Sequence, residues 1–309
     1  MAETEPRYPL SPHIWTSPSI RLKPDARRTV IRPFIAEYPA TYAAGDGSRA
    51  RSIIERLLRV DETKLDRRFK SLFSLIESRH RDSRKVLLRR FEELKEFVPV
   101  DAKPDESLKL LIGAFFSEEY SFEAAALFNP SIVRHWDQSG LEPGAIRFVM
   151  SLRGIGEGHI SSVTFRTGLW FEDGRVTIDA PSIYAASPAI EPMERQQDQA
   201  SLRVHFEDAC DISEAVLFPM APSQKQGIED LRLVAFTDDN GTTSYVGTFT
   251  AYSGSSIREE LLETSDFKHF AMQPLTGKVA DNKGMALFPR RINGRYAMLG
   301  RQDITRISG

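Results

Sequence analysis

The chain has 309 residues, enough for one large domain or two ordinary ones with a well-buried core. Its composition is that of an ordinary globular protein, with 41% hydrophobic and 27% charged residues. The net charge of −2 provides no general attraction to nucleic acid or to an anionic membrane, so neither is expected as a partner.

The N-terminal residues and the single cysteine indicate the compartment. The N-terminus has early acids and prolines without the apolar core of a signal peptide, and no stretch approaches the roughly 18 apolar residues of a membrane span. Cys210 is the one cysteine, which excludes an intramolecular disulfide and fits a reducing environment. We therefore expect a soluble, cytoplasmic protein. Because no motif surrounds Cys210, we expect it to be a small buried hydrophobe rather than a nucleophile.

The first part of the chain has the pattern of an arm, a strand and then helices. Residues 1–20 are rich in Pro and Ser and predict an extended arm, and residues 28–34 predict a short strand that ends at Pro33. From about 48 to 97, apolar residues recur at three- and four-residue spacing, which predicts helices. Basic runs there are interleaved with acids, which favours a solvated helix face over nucleic-acid contact. Residues 107–128 predict one or two further buried helical stretches.

After Asn129-Pro130 the periodicity changes to that of strands. Three turn signals, Asp173-Gly174, Asn240-Gly241 and Asn293-Gly294, each separate two alternating runs. These dipeptides supply the positive φ angles of a two-residue type I′ turn, so each predicts a hairpin. The turns recur about 50 to 70 residues apart, which is typical of repeated antiparallel blades rather than of βαβ units. The helical and β parts are expected to meet near Phe128.

Candidate functional residues lie at the predicted strand ends. Asp230 precedes a strand, where a carboxylate can either protonate a leaving oxygen or accept a hydrogen bond from a nearby backbone amide. Arg153, Lys283 and Arg301 occupy comparable places in three strand systems and could converge on an anion, although each alone is more often an ion-pair or surface residue. Ser161 lies in a Gly-rich segment that could approach a ligand closely.

The order of these motifs carries a family resemblance. FNPSIV is followed by FVMSLRG, HISSVTFRTG, IEDLR and YVGTFTAY, and then by NKGMALFPRRINGRYAMLGRQD. This series, over about residues 124–303, resembles glycoside hydrolase family 130, the β-mannoside phosphorylases and related β-mannosidases. Residues 21–34 are also similar to the opening of longer members, and the helical segment between looks like an insertion that some members carry.

The resemblance implies a fold and a domain organisation. The expected fold is mainly β, of the five-bladed β-propeller type with about three blades present, preceded by an N-terminal α-helical segment. The corresponding division is an arm and first strand over 1–47, a helical segment over 48–127, and a partial β-propeller catalytic domain over 128–309. A full propeller needs further strands, so the chain is expected to be a C-terminally truncated relative.

The resemblance also implies a mechanism. It places Asp230 as the general acid of an inverting cleavage of β-mannosidic bonds, and it implies that basic side chains hold inorganic phosphate in the phosphorylase members. The substrate- and phosphate-binding residues that it suggests here are Arg153, Lys283, Arg301, Asn129 and Ser161.

Several functional interpretations stay open at this point. Phosphorolysis to mannose 1-phosphate is preferred, with a β-mannoside oligosaccharide as substrate, inorganic phosphate as co-substrate, and no metal or organic cofactor. The alternatives are a β-mannosidase that uses water on the same bonds, an inactive truncated remnant, and a helical interaction module based on residues 48–97. Those helices could pack on the propeller flank or mediate homo-oligomerisation.

Overall fold

The computed structural model describes residues 20–34, 47–60, 71, 73–186, 188–192, 201–207, 209–277, 280 and 283–300. Within these ranges no helix is long and apolar enough to cross a membrane.

The helices predicted between 48 and 97 are confirmed where the structure describes them, and a further helix begins at Glu106. The α-helices that lie wholly within described residues are α1 (Ser48–Leu57), α2 (Ser83–Glu93) and α3 (Glu106–Phe115). Residues 73–77 are also helical, while residues 61–70 and 72 of the predicted helical stretch lie outside the described residues. The three helices bury Ile54, Phe91 and Ile112 in one cluster, which accounts for the apolar spacing in the sequence.

Two features of α3 fix its start and its packing. Asp105 caps the helix, because its carboxylate accepts a hydrogen bond from the Leu108 backbone N–H at 2.8 Å. Gly113 faces α2 so closely that a β-carbon there would overlap the backbone carbonyl of Leu87. The contact between α2 and α3 therefore depends on a glycine.

The prediction of helix over residues 107–128 is wrong beyond α3. The predicted strand at 28–34 is present as β1 (Thr29–Pro33), and it pairs antiparallel with β2 (Ser117–Ser121). Tyr120 and Phe122 are buried against Val30 in this region. Pairing with a strand far away in the sequence thus overrides the local helical pattern.

The remaining strands form two antiparallel groups and a separate hairpin. In chain order they are β3 (Ala126–Arg134), β4 (Ile146–Ile155), β5 (Ser161–Trp170), β6 (Val176–Ile178), β7 (Ala189–Pro192), β8 (Leu202–His205), β9 (Val216–Leu217), β10 (Gly227–Thr237), β11 (Thr243–Tyr252), β12 (Ile257–Thr264), β13 (His269–Pro274), β14 (Ala286–Leu287) and β15 (Met298–Leu299). The strands β3 to β13 belong to one 11-stranded sheet. Its first part, called the first sheet below, has the order β3-β4-β5, with β6 and β9 paired to β5; its second part, called the second sheet, has the order β10-β11-β12-β13-β8-β7. They join where Gly227 of β10 pairs in parallel with Ser161 of β5.

The two faces of the second sheet have different neighbours. One face packs on the first sheet around the fully buried Phe165, Ile228 and Phe249. On the other side, Phe236 and Val246 pack with Leu287 of the β14–β15 hairpin. The second sheet is therefore layered between the first sheet and this hairpin.

All three predicted hairpins are present, but their turns differ. Asn293 and Gly294 both have positive φ, at 52° and 71°, and Ile292 and Arg295 exchange backbone hydrogen bonds around them, as a type I′ turn requires. In the β5–β6 and β10–β11 turns only the glycine has positive φ, at 83° for Gly174 and 81° for Gly241. The type I′ prediction is thus correct for the third turn alone.

The predicted mainly β class is confirmed. Within the described part of the chain the strands do not close into a ring, so the five-bladed propeller and its blade count stay predictions.

A buried charge network ties the first strand to the first sheet. Glu123, which is fully buried, accepts hydrogen bonds from Arg28 Nη1 at 2.8 Å and from Arg166 Nη2 at 2.9 Å. Both guanidinium groups are almost completely buried as well, and Arg28 also donates to the Ser182 carbonyl. No sequence pattern pointed to this network.

The prediction for Cys210 is wrong, because the residue is exposed. Its backbone N–H donates to the buried Glu214 carboxylate at 2.8 Å, and Glu214 also accepts two hydrogen bonds from Arg81. The backbone of this surface turn is thus anchored through Glu214.

Candidate active site

Two β-bulges lie opposite each other at the junction of the two sheets. The pairing of β3 with β4 shifts register at Asn129, and the pairing of β10 with β11 shifts at Asp230. Both residues have left-handed backbone conformations, with φ of 51° and 54°. A bulge re-aims the side chain of its extra residue and is over-represented next to active sites. Here both bulges aim their side chains at each other.

The bulges are held together by polar contacts between β3 and the second sheet. Ser131 Oγ accepts a hydrogen bond from the Leu233 backbone N–H at 3.0 Å, and Tyr245 OH donates to the Arg134 carbonyl at 2.8 Å. At the sheet junction, Gly227 approaches Ser161 so closely that a β-carbon on Gly227 would lie 2.9 Å from that of the serine. These contacts hold β3 against β10 and β11, and β5 against β10.

The two oxygens of the Asp230 carboxylate differ in their surroundings. Oδ1 accepts a hydrogen bond from Asn129 Nδ2 and another from Arg153 Nη1, the latter at 3.2 Å. Within the described residues, Oδ2 accepts no hydrogen bond from the protein. The side chain is 27% exposed, so a ligand from solvent can reach it.

Arg153, on β4, contacts residues of β3, β5 and β10. Its Nη2 donates to Glu229 Oε1 at 2.7 Å, and its Nε donates to Ser161 Oγ at 3.0 Å. The guanidinium also lies over the Phe128 ring, 5.1 Å from the centroid. Because Arg153 and Glu229 are both mostly buried, this charge pair is shielded from solvent and holds a fixed geometry.

Four of the predicted site residues therefore come together, and two do not belong to this contact network as described. Asn129, Arg153, Ser161 and Asp230 form one hydrogen-bonded cluster. Lys283 is exposed on the segment before β14. Arg301 lies outside the described residues.

Sequence reasoning missed Glu229 as a site residue. It forms the shortest ion pair of Arg153 in the cluster. Its position directly before Asp230, in the IEDLR motif, was the available signal. The contact of Glu229 with Arg153 could not be predicted from the sequence, because the bulge that turns both acids toward Arg153 depends on strand pairing.

The charges in the cluster do not balance when both acids are ionised. Glu229 and Asp230 then carry two negative charges against the single charge of Arg153. Arg153 therefore balances one of the two acids, and it lies closer to Glu229, at 2.7 Å, than to Asp230, at 3.2 Å. Two hydrogen bonds already occupy Oδ1 of Asp230, so Oδ2 is the oxygen that a ligand can reach.

The site thus combines a carboxyl group that has one oxygen open to solvent with a guanidinium held against a second carboxylate. The predicted resemblance to glycoside hydrolase family 130 is confirmed by comparison with known proteins. A β-1,2-mannobiose phosphorylase of Listeria innocua serovar 6a is 32% identical over 93 residues, which are 29% of this chain and 24% of that protein. The match thus spans about a quarter of the relative's length. No family model matches the chain.

Solved structures show partial likeness. The complex of a β-1,2-mannobiose phosphorylase from Listeria innocua with β-1,2-mannobiose has a TM-score of 0.31 and 18% identity, covering 68% of this chain and 57% of that one. A structure from work on family 130 hydrolases that target β-1,2 mannosidic linkages in Candida mannan has a TM-score of 0.35 and 15% identity, with 59% and 45% covered. A glycosyl hydrolase from Bacteroides ovatus has a TM-score of 0.34 and 15% identity, with 59% and 45% covered.

Proposed function

We propose that the chain is a carbohydrate-active enzyme that cleaves β-mannosidic bonds by inverting phosphorolysis, with Asp230 as the general acid. The observation that carries the proposal is the unequal environment of the Asp230 oxygens. Oδ1 is held by Asn129 and Arg153, which fixes the orientation of the carboxyl group, while Oδ2 is open to a ligand. A general acid needs this combination of fixed geometry and an accessible proton.

The proposed reaction transfers the mannosyl group to phosphate. The bond between the anomeric carbon and the glycosidic oxygen breaks, and the leaving oxygen takes the proton from Asp230. A phosphate oxygen forms the new bond from the opposite face of the ring, so the product is α-mannose 1-phosphate. Asp230 is left as a carboxylate and regains its proton from solvent.

Arg153 is proposed to contribute to phosphate binding. A guanidinium has five N–H groups, and three of those on Arg153 are used by Ser161, Glu229 and Asp230. Two N–H groups remain for phosphate oxygens. Lys283 and Arg301 are the further cations proposed to neutralise the phosphate, since attack by an anion requires its charge to be balanced and its oxygen to be aimed.

The proposed architecture is a β-propeller. Its support is the layering of the second sheet between the first sheet and the β14–β15 hairpin, since propeller blades stack face to face around a channel. The bulges at Asn129 and Asp230 lie on β3 and β10, the first strands of their sheets, which in a propeller line the channel. The name of the Listeria innocua relative makes β-1,2-mannobiose the first substrate to test.

The experiment is an end-product assay on the full chain. β-1,2-Mannobiose and other β-mannobioses are incubated with and without inorganic phosphate, and mannose 1-phosphate and mannose are quantified. Mannose 1-phosphate that appears only with phosphate is the expected result. Mannose that appears equally with and without phosphate would replace phosphorolysis by hydrolysis. The absence of any product from every linkage would refute the enzymatic proposal.

A further inference from the structure

Three neighbouring side chains form a row that leads from the candidate site across the second sheet. The strand register places Glu229 of β10 opposite Thr250 of β11, and Thr250 opposite Glu259 of β12. Directly opposite residues on paired strands project from the same face of a sheet. Neighbouring strands are about 4.8 Å apart, so the Glu259 backbone lies about 10 Å from that of Glu229.

The last member of the row is a buried carboxylate that binds backbone amides. Glu259 is 1% exposed. Its Oε1 accepts a hydrogen bond from the Met285 N–H at 3.2 Å, its Oε2 accepts one from Thr250 Oγ1 at 3.4 Å, and the Gly284 N–H also donates to it. Burial raises the pKa of Glu259, which reflects the cost of placing a charge there. An apolar residue would avoid that cost but could not accept these hydrogen bonds.

The amides bound by Glu259 belong to the segment that carries Lys283. Lys283 directly precedes Gly284, whose backbone has a left-handed φ of 79° that favours glycine. On the other side of Met285, Thr248 Oγ1 donates to the Met285 carbonyl at 2.7 Å. The backbone that follows Lys283 is therefore held at both its N–H and C=O groups by side chains of the second sheet.

We propose that Glu259 is a positioning residue of the candidate site, which fixes the amides of Gly284 and Met285 and thereby sets where the Lys283 ammonium meets phosphate. The inference rests on the proposed function, because Lys283 has a phosphate-binding role only there. A lysine ammonium is a point charge on a flexible four-carbon stem, so its aim depends on how well its backbone is fixed. Glu259 acts through that backbone and does not touch the substrate.

Glu259→Gln is the test variant, and Leu262→Ala is its matched control. Glutamine keeps the size of the side chain but replaces one acceptor oxygen by a donor group, so one amide hydrogen bond is lost. Leu262 lies on the same strand and is buried in the core between the sheets, on the face away from the Lys283 segment. Its truncation lowers stability and leaves the Glu259 contacts intact.

The kinetic readout separates positioning from general stability. In E259Q we expect KM for phosphate to rise roughly tenfold while kcat changes by less than about twofold, because ground-state and transition-state binding of phosphate are weakened alike. L262A should melt at lower temperature with an unchanged KM for phosphate. An unchanged KM in E259Q, with a wild type that requires phosphate, would overturn the proposal.

A second readout does not depend on turnover. Hydrogen exchange of the Gly284 and Met285 amides should be roughly tenfold faster in E259Q than in the wild type, and unaffected in L262A. If the wild type releases mannose without phosphate, the proposed function fails, and the exchange rates alone then decide whether Glu259 fixes the segment. Equal exchange in E259Q and wild type would refute the positioning role whatever the reaction.

Discussion

Replacing Glu123 by Gln removes a buried carboxylate that pairs with two buried guanidinium groups. Glutamine has nearly the same shape, so the change tests charge rather than packing. Removing one partner of a buried ion pair costs about 3–5 kcal/mol, because the remaining charge stays desolvated. Arg28 also donates to the Ser182 carbonyl at 3.0 Å, and the glutamine oxygen can still accept hydrogen bonds from the guanidinium groups. We therefore expect a loss of about 3 kcal/mol, at the lower end of that range.

The assay is urea unfolding followed by tryptophan fluorescence. Glu118→Gln is the control, because Glu118 pairs with Arg32 at 2.6 Å but both side chains are partly exposed, at 37% and 21%. Such a pair contributes about 0–1 kcal/mol. The reasoning is refuted if E123Q and E118Q lower the free energy of unfolding by the same small amount.

Three further predictions address the site, the pH dependence of stability and the helix contact. Asp230→Asn should lower kcat by about 10²–10⁴-fold with little change in melting temperature. Asp239→Asn, in the exposed β10–β11 turn, is the control and should leave kcat unchanged. If D230N has the same kcat as D239N, Asp230 is not the general acid. Burial lowers the pKa of His80 below its ordinary 6.5. As the pH drops below 6.5 the unfolded chain takes up the proton before the folded chain does, so the free energy of unfolding falls. His80→Gln should make the free energy of unfolding less dependent on pH in this range, as measured by denaturant titrations. Gly113→Ala should cost about 1–3 kcal/mol by pushing α3 from the Leu87 carbonyl, and an unchanged urea midpoint would contradict the close packing.

Features that depend on local chemistry could be read from the sequence. The Asn293-Gly294 dipeptide specifies its turn because few other residues tolerate positive φ, and the structure has the expected turn there. The Asp-Gly and Asn-Gly turns before β6 and β11 form hairpins with a different geometry, because the registers of the flanking strands set the loop length. The local signal thus located each hairpin but did not determine each turn type.

Features that depend on distant pairing could not be read in this way. Arg28 precedes β1, Glu123 follows β2 and Arg166 lies on β5, so the three residues meet only in the folded chain, and none of them stands in a recognisable motif. The same holds for the residues that surround Asp230. Its neighbourhood is created by a bulge on β3, about a hundred positions earlier in the chain. The roles of these residues in a reaction stay predictions until the assays are done.

The pairing of β1 with β2 has a consequence for how this protein can vary. Pro33 lies opposite Ser117, and the Phe34 N–H donates to the Phe116 carbonyl at 2.9 Å. The chain thus leaves the strand pair and returns to it at adjacent points, about 5 Å apart. The described helices α1, α2 and α3 lie in the chain between those two points. The spacing of these points is set by the β1–β2 pair and not by the length of the chain between them, so helices can be lengthened or shortened there while β1 and β2 remain paired.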